Sequence, residues 1–112
     1  MPNVNVADVV LKAQVAAAMQ TNDYLQNHLM GDDGFPCGFA WIRAMVDGRT
    51  RIGKELMKAG FEKDYGKPGL MLWNPSGSPL QNVDAKLAGA KAAAQLLSKE
   101  LGIQVVADSR WD

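Results

Sequence analysis

A chain of 112 residues with 47% hydrophobic side chains, 21% charged ones and 11 glycines has the size and composition of one folded domain. This excludes the low-hydrophobicity, high-charge signature of disorder. Twelve Lys and Arg balance twelve Asp and Glu, so no overall field draws the protein onto nucleic acid or an anionic membrane, and any such contact must use a local patch.

The longest apolar run is far short of the ~20 residues that span a bilayer. The start MPNVNVADVV lacks the basic-then-apolar order of a signal peptide. A single cysteine permits no intrachain disulfide and fits a reducing compartment. The expectation is a cytoplasmic protein that makes no membrane contact.

Residues 6–29 are rich in Ala, Val, Leu, Gln and Met without Gly or Pro, which favours a helix. Asn5 is placed to cap it, with Asp8 near the positive end of its dipole. Val6, Val10, Ala13, Ala17 and then Met19 or Gln20 trace its apolar side. GDDGFPCG follows as a loop. FAWIRAMV, residues 39–46, has the aromatic and β-branched content of a strand, apolar on both faces except at Arg43, and so a central one.

DGRT is a turn, and Thr50 is placed to cap a short helix carrying Ile52 and Leu56 and stopping at Gly60. Residues 61–65 and 70–73 flank GKPG as two short antiparallel strands of a hairpin. NPSGSPLQ is a loop. Asn82 then caps the clearest helix, with Val83, Leu87, Ala90, Ala94, Leu97 and Leu101 as one continuous apolar stripe and Gly102 at its C′ position. IQVVA is the last strand.

One domain, residues 1–112, thus divides into an N-terminal helix (1–30) and a βαββαβ core (38–108), the split βαβ or ferredoxin-like arrangement. The strands holding Trp41 and Leu72 are expected at the centre of a four-stranded antiparallel sheet, with the two later helices on one face. The N-terminal helix, a second subunit or a ligand must cover or use the other.

Chemistry-bearing residues are few. Cys37 and His28, nine residues apart, are the lone thiol and imidazole, and a nucleophilic thiol needs a cation or base beside it. The start of a strand is the leading reading for Cys37, and a dipole partner at a helix end for His28. The pair lacks the H-x-E and P-C-x-x-C of zinc deaminases, and one Cys with one His cannot supply a zinc site. No metal and no cofactor is expected, and an enzyme using Cys37 is the minority alternative.

Asn74, Ser76 and Ser78 supply polar groups beside Trp73 ahead of a helix N-terminus, set against an ordinary self-satisfied turn. Phe39 and Trp41, with Arg43 and Met45 beyond, share one face of their strand, as Met71 and Trp73 share a face of theirs. These are the ingredients of base stacking on an open sheet, and residues 43–67 carry seven basic and four acidic side chains. Core packing beneath the N-terminal helix is the favoured reading of the same aromatics. At the end of the chain, ADSRWD places Arg110 beside Trp111, the composition of a binding hot spot, in a terminus expected to fray.

PCGFAWI, GRTRIGKELMKAGF, LMLWNPSG and DAKLAGAKAAAQLL, with the terminal ADSRWD, together resemble a family of small proteins of tailed bacteriophages, marine ones included, over most of the chain from Gly34 onward. The resemblance implies a setting, the cytoplasm of an infected bacterium, and assigns no catalytic residue. It makes a non-enzymatic module that binds a host protein the leading expectation, with Trp73, Asn74, Ser76, Trp41, Arg43 and Arg110 as contact residues and a homodimer plausible. Single-stranded nucleic-acid binding through the aromatic sheet face is the alternative.

Overall fold

In the computed structural model, which describes residues 5–28, 30, 36–64, 66–78 and 82–111, the sheet is built around strand β1, Gly38–Ala44. The segments expected to be loops at 31–35 and 79–81, together with Tyr65 and Asp112, lie outside the described residues. β1 pairs antiparallel with β3, Leu70–Trp73, on one side and with β4, Val105–Trp111, on the other. β2, Glu62–Lys63, adds to the outer side of β3, giving the order β2-β3-β1-β4. Among the described residues the protein is therefore α+β, a four-stranded antiparallel sheet with three helices, and the strands of Trp41 and Leu72 are its central pair.

Alternation sorts each strand into two faces. Ala40, Ile42 and Ala44 of β1 and Leu70 and Leu72 of β3 join one buried cluster with helix α3, Val83–Leu101, and with Leu56 of helix α2, Arg51–Lys58. Both helices start as their sequences dictate. The Thr50 hydroxyl accepts from Gly53 N–H at 3.1 Å, and the buried Asn82 side chain accepts from Ala85 N–H at 2.9 Å. α3 stops at Gly102, whose φ of 66° is the left-handed conformation glycine adopts without a Cβ penalty.

Helix α1, Val6–His28, departs from expectation. It does not cover the far face of the sheet: its most extensive contact is with α3, with a smaller one to α2. The reason is in α3, whose Ala85, Gly89 and Ala93 are buried in addition to the stripe through Ala90, Ala94 and Leu97. Small side chains on two sides let α3 lie between the sheet and α1. The crossing is tight at Gly89, where a Cβ would stand 2.1 Å from Thr21 Oγ1 and 2.6 Å from the Ala17 carbonyl oxygen. Thr21 is itself buried and donates to the Ala85 carbonyl at 2.9 Å. The buried side of α1 accordingly runs through Val9, Val10, Ala13, Ala17, Thr21 and Leu25, while Met19, expected on it, is exposed.

Two strand boundaries are also corrected. β2 is only two residues long and is joined to β3 through residues 64–69. β4 runs to Trp111, past the expected core limit at residue 108, because Ser109, Arg110 and Trp111 pair with Ala40, Phe39 and Gly38. The terminus expected to fray is a strand.

Candidate functional site: an aromatic row on the helix-free face

The face of the sheet turned away from the three helices carries Phe39, Trp41 and Arg43 from β1 and Met71 and Trp73 from β3. Opposite them on β4 stand Arg110, Asp108 and Val106. Trp41 and Trp73 are directly paired across the strands, and their rings stack with centroids 5.4 Å apart and planes 9° from parallel. Phe39 meets Trp73 at 5.5 Å. Three aromatic rings thus form one row across the two central strands. Such contacts each contribute roughly 0.5–1.5 kcal/mol beyond the area they bury.

The reading of these aromatics as packed beneath the N-terminal helix is overturned, because α1 lies on the other side of the molecule. The row grades from buried to open: Trp41 is 9% exposed and Trp73 46%. Trp41 Nε1–H is buried, and among the described residues it finds no acceptor. A buried indole N–H normally has a partner, and leaving one without costs on the order of 1–3 kcal/mol.

Two cations flank Phe39. The Arg110 guanidinium lies 5.4 Å from its ring centroid, and Lys86 Nζ lies 5.5 Å away while donating to the Gly38 carbonyl at 3.1 Å. Both satisfy cation–π geometry. Lys86 was not among the residues singled out in the sequence. It stands off the apolar stripe of α3 and reaches the row only because the start of α3 is tied to the start of β1, through Val83 N–H to the Pro36 carbonyl at 2.8 Å and the Cys37–Asn82 bridge. A small hollow of about 130 Å³ lined by Phe39, Ala40, Trp73, Asn74 and Lys86 opens at this end.

The remaining candidates are engaged in structure. Arg43 is buried and forms an ion pair with Asp64, and it also donates to the Pro68 carbonyl at 3.2 Å, which ties the connection between β2 and β3 to the sheet. Asn74 adopts φ 46°, donates to the Ser78 carbonyl at 3.1 Å and accepts from Ser76 Oγ at 3.3 Å. Ser78 N–H in turn donates to Ser76 Oγ at 3.2 Å. These polar groups serve the turn itself, and at the start of α3 the Val83 N–H is taken by the Pro36 carbonyl and the Ala85 N–H by Asn82.

His28 ends α1 and stacks on Tyr24 at 4.6 Å. Cys37 opens the sheet in its bridge to Asn82. Among the described residues, no group of three His, Cys, Asp or Glu side chains is placed to hold a metal ion, and no helix is long and apolar enough to cross a membrane.

Among the described residues, the most strongly shifted titration lies away from the row. Asp47 accepts from Arg49 Nε, Nη2 and backbone N–H, and those bonds hold its carboxyl at about 2, below the ordinary 3.8.

Comparison with family models, curated proteins and solved structures returned no match.

Proposed function

We propose that the protein is a non-enzymatic binding module whose contact surface is the aromatic row, acting in the phage setting on a protein of the host cell. The observation that carries the reading is the stacked Phe39, Trp73 and Trp41 row on a sheet face that no described helix covers. Aromatic side chains of this kind are the usual anchors of protein interfaces. The balance of twelve basic against twelve acidic residues suits a protein partner better than a polyanion.

The ferredoxin-like description of the core belongs to the same proposal. It is supported by the order β2-β3-β1-β4, with first and third strands central, and α1 stands outside that pattern.

The test is retention of host-lysate protein on the immobilised chain, with nuclease treatment and a high-salt wash. A defined protein held by the parent chain and lost with Trp73→Ala, while circular dichroism is unchanged, is the expected result. Equal retention by both chains removes the row from the contact.

One observation favours a second reading. Lys86 and Arg110 on either side of Phe39 place positive charge beside a stacking platform, the pairing used by single-strand binders. That reading expects mixed-sequence oligonucleotides to quench tryptophan fluorescence at low salt, with affinity falling as salt rises.

A further inference from the structure

Strand β4 is an edge strand, and its outer side carries the unpaired backbone groups that invite another strand. Which groups face outward follows from the bonds at its start and middle. Val105 N–H and carbonyl both bond the Ser98 hydroxyl, at 3.1 and 3.3 Å, and Ser109 N–H is held by the neighbouring Asp108 carboxylate at 2.8 Å. Neither residue spends these groups on β1. By alternation the N–H and carbonyl of Ala107, Ser109 and Trp111 point outward, while Val106, Asp108 and Arg110 bond β1.

We infer that two copies of this chain associate about a two-fold axis at Ser109, β4 against β4, in an eight-stranded sheet. Among antiparallel registers, an axis at Asp108 sets Asp opposite Asp, and one at Arg110 sets Arg opposite Arg, both unfavourable. An axis at Ser109 sets Arg110 of each copy opposite Asp108 of the other, twice, on the same face. In the same register Ser109 pairs with Ser109 and Ala107 with Trp111, so all outward groups of these residues find partners. The Asp108 carboxylate exchanges its bond to Ser109 N–H for Arg110 of the second copy.

A separate feature fits the same register. Trp111 is 76% exposed and lies on the helix side of the sheet, with Val105 and Ala107. Across the axis it falls beside Ala107 of the second copy, at a shallow groove of about 630 Å³ between α3 and β4. The groove is lined by Lys91, Ala94, Gln95, Ser98, Val105 and Ala107, among others. The lysine stem and the small apolar side chains form a bed for an indole. The contact is isologous, so both grooves fill at once. This inference does not rest on what the aromatic row binds.

Sedimentation velocity of the full chain over a range of concentrations tests it, with circular dichroism on every variant. The parent chain is expected to dimerise reversibly, and Trp111→Ala to weaken the dimer at least about tenfold. Ser109→Pro is expected to be monomeric yet folded, since this N–H faces outward, where an edge strand tolerates proline. Asp108→Arg and Arg110→Asp are each expected to be monomeric alone and to form a one-to-one heterodimer when mixed, because every facing pair is then of opposite charge.

A parent chain that stays monomeric to about 1 mM, where association would be weaker than about −4 kcal/mol, overturns the inference. So does a dimer indifferent to Ser109→Pro, or folded charge variants that fail to pair on mixing. Binding of the host partner or of oligonucleotide is read separately with Trp73→Ala, which lies on the opposite side of β1 from β4, so the two readings fail independently.

Discussion

Gly89→Ala is expected to destabilise the protein, although alanine is the better helix former. In an exposed helix the change gains about 0.8–1 kcal/mol. Here the new methyl carbon meets Thr21 Oγ1 at 2.1 Å and the Ala17 carbonyl oxygen at 2.6 Å. The threonine can rotate away, but the backbone oxygen moves only if α1 moves. Forcing a methyl into such a site costs about 1–3 kcal/mol, and displacing Thr21 from the Ala85 carbonyl forfeits a buried hydrogen bond worth about 1 kcal/mol more.

The net loss is about 2 kcal/mol. With a urea dependence of about 2 kcal/mol per molar for a domain of this size, the unfolding midpoint should fall by about 1 M. Adding Thr21→Ala removes the nearer clash and should recover part of the loss. A midpoint that rises, or a double variant whose losses simply add, would refute the tight crossing of α1 over α3.

Asn82→Ala removes the N-cap of α3 at a fully buried position and should cost about 1–2 kcal/mol in urea unfolding. Arg43→Met keeps the stem but leaves Asp64 without its ion-pair partner. A loss of about 2 kcal/mol is expected, moderated because Asp64 stays partly hydrated. The Asp47 carboxyl should titrate at about 2 by carbon-detected NMR, and Arg49→Gln should return it toward 3.8. Because the folded value is the lower one, the contribution of this turn is complete above pH ~4 and is lost as pH falls toward 2. Trp73→Ala forfeits ring contacts to both Phe39 and Trp41 and should cost about 1–3 kcal/mol in urea unfolding with the domain still folded, while changing tryptophan fluorescence strongly. A collapse of the fold would place Trp73 in the core instead.

Much of this architecture is legible in residue order because local signals agree with the final fold. Asn82, the Val83 to Leu101 stripe and Gly102 each specify α3 without help from the rest of the chain. Trp41 reads as central because its strand is apolar on both faces except at Arg43, and Leu72 follows from the βαββαβ order of elements.

The position of α1 was not legible. Alanines at 85, 93 and 94 are equally at home against solvent, a sheet or a helix, and only the assembled fold shows that α1 meets α3 at Ala85 and Gly89. That ambiguity put the aromatics beneath α1 in the favoured reading of the sequence, since their exposure depends on which side α1 takes. The end of β4 was missed for a different reason: ADSRW has the polarity of a loose terminus, and its order comes from pairing with residues some seventy positions earlier. Lys86 was missed because nothing local points a helix lysine at a phenylalanine on another element.

The seating of α1 on α3 also bears on how the chain is made. α1 leaves the ribosome before α3, yet the surface that buries Val9, Val10, Ala13 and Ala17 is completed only by α3, some seventy residues later, as from Ala17 to Gly89. Contacts of such sequence separation form slowly, so a newly made α1 waits with its apolar side uncovered, the state most open to chaperones and to mispairing. Of the three described helices, the first to be synthesised is then among the last to be seated.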